Sequence, residues 1–350
     1  EIRAKVVGEG ANLGVTQRGR IEMAMRGVRL NTDFIDNSAG VNSSDQEVNI
    51  KIALEPAIAS GRLSREDRNR LLAGLAGDVA TAVLANNHGQ SLALSLAERS
   101  SKQDLAHLTR LARQLEERGL IDRKLEALPS GTELAARAAA GGGLTRPELA
   151  VLLSWAKIAL NGDLVASHVP DMPEAEGLLQ SYFPQALRDG YRQEIAGHRL
   201  RREIVATGVT NTVINTGGPA VMVRLAAETG EPVAAIVEAF LAVQTIFGIP
   251  AMWAELGRLD GKVPGPLQLD LYARLQDLAI EETVRVLKLR VGRSFAEVTA
   301  RYQPAAAEIA ANLPDILPPS ERSRLEAEAG RLSSGGVPAE LATRLAGLTL

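Results

Sequence analysis

Strand patterning is confined to the first few dozen residues of this 350-residue chain. Ile2, Ala4 and Val6 alternate with Arg3 and Lys5, and Val7 closes the run, as in a half-buried strand. Gly8-Glu9-Gly10-Ala11-Asn12 breaks it. Thr16 to Arg26 reads as a helix with Ile21, Ala24 and Met25 on one side and Gly27 as its stop. Val28-Arg29-Leu30 resumes as a second strand, and Phe34-Ile35 extends it or forms a short further piece. A unit of about 35 residues is long enough for one strand–helix–strand crossover, which joins parallel strands. A doubly wound sheet needs about five or six strands covered on both faces, and nothing downstream supplies them. Two expectations stand: the chain begins inside a larger α/β domain and is its C-terminal piece, or the unit is a small α+β cap on a helical protein.

From Ser44 onward the signals are helical. Ser44-Asp45-Gln46-Glu47 has the capping-box pattern and decides for a helix over the strand-like spacing of Val48, Ile50, Ile52 and Leu54. Ser64-Arg65-Glu66-Asp67 opens a helix through Leu71, Leu72, Leu75 and Val79, and Gln103 to Arg118 forms another. Thr145-Arg146-Pro147-Glu148 is a further cap, before Leu149, Leu152, Leu153 and Ile158. Apolar residues recur at helical spacing over Val233–Phe247 and Leu271–Leu289, and Ser320–Leu332 and Pro338–Leu345 close the chain. Aromatics make up only 3%, which favours packed helices over a β-sandwich. The expected fold class is therefore mainly α: a strand–helix–strand remnant of a Rossmann-type α/β domain over residues 1–55, then a helical domain over 56–350. The small-residue run Ala138-Ala139-Ala140-Gly141-Gly142-Gly143 marks a possible subdivision near 138–144, and Gly261 to Pro266 a turn.

Composition narrows the chemistry. The net charge of -3 provides no field to attract nucleic acid or an acidic membrane, and no uncharged apolar stretch has the length of a membrane span. The absence of cysteine removes disulfides, thiolate nucleophiles and cysteine metal sites, and fits a reducing, cytoplasmic setting. His88, His107, His168 and His198 have neither metal-ligand nor triad spacing, so no metal is expected. Trp155 and Trp253 read as core anchors.

Three polar segments are candidates for binding. Gly8-Glu9-Gly10-Ala11-Asn12-Leu13-Gly14 follows a strand and precedes a helix, but is one residue longer than the dinucleotide fingerprint. Even as a plain turn it lies at the C-terminal edge of a parallel strand, where ligands bind. Asp33 to Glu47 is dense in amides, hydroxyls and carboxylates between a strand end and a helix N-terminus. It suits either a carboxylate ligand, with Ser44 donating its hydroxyl, or a simple helix cap. Thr207 to Pro219 reads as an anion-accepting nest or as polar packing between helices.

The first two segments resemble the end of the nucleotide-binding domain of glutamate dehydrogenases. In that superfamily a strand ends in E-G-A-N, a helix follows, the next strand leads to an Asp, and N-A-G-G-V-x-x-S-x-x-E opens a long helix. Here those elements are Glu9-Gly10-Ala11-Asn12, Asp33, and Asn37-Ser38-Ala39-Gly40-Val41-Asn42-Ser43-Ser44-Asp45-Gln46-Glu47. The match departs at Gly14, where short-chain members have Pro, and at Ser38-Ala39, which replaces Ala-Gly. Leu144-Thr145-Arg146-Pro147-Glu148-Leu149-Ala150, Thr210-Asn211-Thr212-Val213-Ile214-Asn215 and Pro264-Gly265-Pro266-Leu267-Gln268 are similar to the long-chain, NAD-specific branch found in bacteria.

The resemblance implies oxidative deamination of L-glutamate to 2-oxoglutarate and ammonia with NAD. It implies that Asn12, with Gly10 and Ala11, faces the nicotinamide end of the cofactor, that Asn37 bonds its ribose or amide region, and that Ser44 donates to a substrate carboxylate. In the family the catalytic lysine and aspartate and the glycine fingerprint precede these motifs. The resemblance thus implies no catalytic acid or base in this chain, an inactive fragment, and a homo-oligomeric parent. The competing expectation is a helical regulatory or oligomerisation domain without a direct catalytic role. A Ser44→Ala substitution separates the two, through kinetics in one case and stability in the other.

Overall fold

The structure is a computed structural model that describes residues 3–290 and 293–348. It is mainly helical and divides into two compact units, Glu1–Ala220 and Val221–Leu350.

The first unit opens with β1 (Val6–Val7), α1 (Gln17–Met25) and β2 (Arg29–Leu30). β1 and β2 pair in parallel, Val6 opposite Arg29 and Val7 opposite Leu30, as a crossover helix requires. The expected first strand is longer than the observed one: β2 offers only two partner residues, and Ile2 lies outside the described residues. Phe34-Ile35 does not extend β2. Its amides turn back on Thr32, with Ile35 N and Asp36 N both 3.1 Å from the Thr32 carbonyl, and form the short helix α2 (Asp33–Asp36) around a fully buried Ile35.

α3 (Ser38–Ala59) follows at once. Ser44 is therefore interior to a helix, not its cap; Asn37 holds the cap position. The reason is packing: Ile50, Ala53, Leu54 and Ala57, at helical spacing, are all buried, and the helix runs back without a break until α2. α4 (Arg65–Gly74) begins where the sequence places it, with Ser64 Oγ accepting from Asp67 N at 3.0 Å. It stops at Leu75, so Val79 belongs to the next helix, α5 (Ala76–Ser100). α6 (Leu105–Glu117) buries Leu108, Leu111, Ala112 and Leu115. α7 (Gly131–Ala139) ends at the small-residue break.

α8 (Arg146–Val165) is the organising element of this unit. Leu149, Ala150, Val151, Leu152, Leu153, Ala156, Leu160 and Leu164 are buried on it, and it packs on α1, α5, α6 and α12. Each such leucine contributes roughly 1.5–3 kcal/mol by leaving water. Its N-terminus carries the expected capping box, with Thr145 N donating to Glu148 Oε2 at 2.7 Å. The fully buried Glu148 also takes two hydrogen bonds from Arg137, at 2.8 and 2.9 Å. Three short helices, α9 (Ala175–Tyr182), α10 (Gln185–Gly190) and α11 (Arg192–Ala196), lead to α12 (Arg201–Gly217). Thr207 to Gly217 is thus continuous helix, with Val209, Val213 and Ile214 buried, which agrees with the helix-packing reading of this segment over the anion nest.

The second unit contains α13 (Val221–Thr229), α14 (Val233–Ile246), α15 (Ile249–Gly257), α16 (Gly265–Leu289), α17 (Phe295–Ile316), α18 (Pro319–Ser334) and α19 (Ala339–Gly347). α14 is the core, packing on α16 and α17 through residues such as Ile236, Val237, Phe240 and Val243. No single helix among the described residues is long and apolar enough to cross a membrane. Residue 55 falls inside α3, and 138–144 is the end of α7 and its loop to α8.

Candidate functional site

The loop Gly8–Thr16 leaves the C-terminal end of β1, and α2 and the start of α3 leave the end of β2. Because the strands are parallel neighbours, the two segments emerge side by side. The structure joins them directly: Asn37 Nδ2 donates to Asn12 Oδ1 at 2.9 Å. Gly10, Ala11 and Asn12 are exposed on this loop. Ser44 lies two turns into α3 from Asn37, about 10 Å along the axis on the same face, and is exposed. Val41 and Val48 share that face and are 60% and 52% exposed. Asn12, Asn37 and Ser44 therefore lie along one side of this unit, although only the two asparagines touch.

What holds the loop was not legible in the motif. Arg20, on α1, is 4% exposed and binds two carboxylates. Its Nε and one terminal nitrogen meet Glu9 at 2.5 and 2.8 Å, and that same nitrogen lies 2.9 Å from Asp33 Oδ1. The carboxylates in turn take backbone donors from the loop: Leu13 N gives to Asp33 Oδ2 at 2.7 Å, and Val15 N to Glu9 Oε2 at 3.1 Å. Burial raises the cost of charging Asp33, but the Leu13 N–H and the Arg20 guanidinium outweigh it and hold this carboxyl below its usual range. The bond to Glu9 raises the basicity of Arg20. Arg20 and Asp33 are both held in their charged forms, so the loop is fastened by charge-assisted bonds.

This fastening tolerates strain. Leu13, directly after Asn12, has φ of 57°, in the left-handed region. Its side chain is 84% exposed, so packing does not explain the conformation; the bond from its own N–H to Asp33 does. The start of α3 is pinned from the other side. Asn87 of α5 donates to the Ile35 carbonyl and to Ser38 Oγ, at 2.8 and 2.9 Å, and Gln90 reaches Ser38 Oγ at 3.2 Å. Gly40 leaves room for the Asn37 carboxamide as it stands, since a Cβ there would come within 2.8 Å of Asn37 Oδ1. The one sequence signal that could have found the ion cluster is the place of Arg20 beside Ile21; these two are the buried residues of α1.

The fold and this site define a class: a helical protein in which a parallel strand pair delivers two bonded polar loops to one side. Residues 141–350 match the family described as glutamate dehydrogenase, C-terminal, and residues 1–97 match the bacterial NAD-glutamate dehydrogenase catalytic domain. The chain belongs to the glutamate dehydrogenase C-terminal family. It is similar to proteins named NAD-specific glutamate dehydrogenase from Halomonas elongata, 42% identical over 346 residues, Pseudomonas aeruginosa, 40% over 348, and Mycobacterium tuberculosis, 37% over 350. Each alignment covers 99% of this chain but only 21–22% of the relative's length.

Proposed function

We propose that this chain is the C-terminal portion of a large NAD-dependent glutamate dehydrogenase, and that its first 55 residues are the end of a Rossmann-type nucleotide-binding domain. The reaction is L-glutamate, NAD+ and water giving 2-oxoglutarate, ammonium, NADH and a proton. The observation that carries the reading is the Asn12–Asn37 hydrogen bond, which unites two motifs 25 residues apart at adjacent parallel strand ends. Ligand crevices of α/β sheets lie at such ends.

The residues fit a nicotinamide nucleotide. Gly10 leaves backbone uncovered, with nothing within 4 Å of where a Cβ would stand, and Asn12 and Asn37 present neutral amides. NAD, when bound, accepts the hydride. The chain's own part is positioning: Asn12 and Asn37 orient the nicotinamide end, and the Ser44 hydroxyl donates to a carboxylate of glutamate. The catalytic lysine and aspartate belong to another part of the polypeptide, so these 350 residues by themselves are inactive. The parent acts as a cytoplasmic homo-oligomer.

Ser44→Ala in the polypeptide that carries this chain tests the assignment. Ser44 is interior to α3 and exposed, so its loss changes stability by less than about 0.5 kcal/mol. Glutamate KM is expected to rise about tenfold or more. Unchanged glutamate kinetics would remove Ser44 from the site. Glutamate-dependent NADH formation by the 350-residue chain alone would overturn the division of labour.

A further inference from the structure

Both flanks of the Gly8–Thr16 loop are tied to two consecutive residues at the N-terminus of α8, more than 125 positions away in sequence. Gln17, just after the loop, donates through Nε2 to the Pro147 carbonyl at 3.1 Å. On the other flank the path has three links. Arg146 Nε donates to Asn31 Oδ1 at 2.5 Å, Asn31 Nδ2 donates to Asp36 Oδ1 at 2.6 Å, and Asp36 Oδ2 accepts from the backbone N–H of Glu9 at 2.9 Å. Glu9 is the first residue of the Glu9-Gly10-Ala11-Asn12 motif, and its carboxylate is the one clamped by Arg20.

Arg146 is itself immobilised. Its side chain is 11% exposed, and its terminal nitrogens meet the Ser91 carbonyl at 2.9 Å, Ser95 Oγ at 3.0 Å and Glu98 at 3.4 Å, all on α5. A guanidinium spread over four acceptors, three on α5 and one in the turn after β2, has a fixed position. The asparagine it grips has both ends of its carboxamide used, so Asn31 cannot turn without breaking one bond or the other. The order passed to Asp36 then sets where the backbone of Glu9 begins the loop.

We propose that Arg146 is a positioning residue for the cofactor loop, acting through Asn31 and Asp36 to hold Gly10–Asn12 where the nicotinamide end binds. The inference rests on the cofactor reading above. It adds that the helical body, through the first residue of α8, sets NAD affinity. An arginine that merely ties helices together would lower stability when removed and leave the kinetics of the folded enzyme alone.

The test is a double-mutant cycle in the polypeptide that carries this chain, with Arg146→Ala, Asn31→Ala and both together. KM for NAD and NADH binding, followed by nucleotide fluorescence, are measured beside glutamate KM and thermal stability. Each single variant is expected to raise KM for NAD about tenfold, with kcat within about twofold and glutamate KM unchanged. The double variant is expected to be no worse than the worse single, since both cut one path. Arg146→Lys, which cannot reach all four acceptors, falls between wild type and Arg146→Ala. Arg118→Ala, which removes an ion pair to Asp163 on the same helix, serves as the control and leaves KM for NAD unchanged. If Arg146→Ala does not fold, Asn31→Ala still decides, because it leaves the α5 contacts of Arg146 in place. Normal NAD kinetics in Asn31→Ala, or effects that multiply in the double variant, would overturn the proposal. A wild-type polypeptide without glutamate-dependent NADH formation would instead overturn the functional reading beneath it.

Discussion

Leu13 holds a left-handed conformation that costs a non-glycine residue roughly 1–2 kcal/mol. Its exposed side chain gains little in return. Leu13→Gly is expected to stabilise the protein by about 0.5–1 kcal/mol after the extra entropy of glycine in the unfolded chain is counted. Urea unfolding measures this; a loss of stability would mean that the side chain makes a contact worth more than the strain. Asp33 belongs to the same scale. Its carboxyl is held below the unfolded value, so its contribution is present above about pH 4 and is lost as pH falls further through the folded value. Melting temperature is expected to drop over that acid range, and Asp33→Asn to flatten part of the drop while lowering stability at neutral pH.

At the scale of elements, α3 does two things at once. Its inner face anchors it through Ile50 and Leu54, and its first turn presents Asn37 to Asn12. Gly40 separates these roles. Alanine there should favour the helix by about 0.5 kcal/mol, while its Cβ displaces the Asn37 carboxamide. On the proposed cofactor role of Asn37, Gly40→Ala in the polypeptide that carries this chain is therefore expected to be at least as stable as wild type and several-fold weaker for NAD, by calorimetry and steady-state kinetics. Weakened folding with normal kinetics would place the role of Gly40 in the backbone alone. The same element shows how a local pattern misleads. Ser44 to Glu47 has the residues of a capping box, but a cap needs a chain entering from outside the helix, and here six helical residues already precede Ser44.

For the whole molecule, each compact unit has its own core and its own tryptophan: Trp155 on α8 and Trp253 on α15. In single-tryptophan variants each ring reports one unit. Leu153→Ala, which opens a cavity costing about 2–5 kcal/mol in the first unit, is expected to shift the Trp155 transition more than the Trp253 transition; Phe240→Ala should do the reverse. Coincident shifts would show that the two units unfold as one.

Local sequence determined the helices, because period and caps are written in consecutive residues. Ser64, Thr145 and the apolar stripe of α6 needed nothing distant. It also located the two strands, though not their length, and the polar loop that follows the first. Only the tertiary structure decided that Asn12 and Asn37 bond, that Arg20 lies between Glu9 and Asp33, and that Arg146 reaches Asn31 across 115 positions. Strand pairing and helix packing bring such residues together, and a hydrogen bond between them leaves no period in the sequence. The turn of Phe34-Ile35 into helix has the same origin: a buried site for Ile35 outweighs the preference of two apolar residues to prolong a strand.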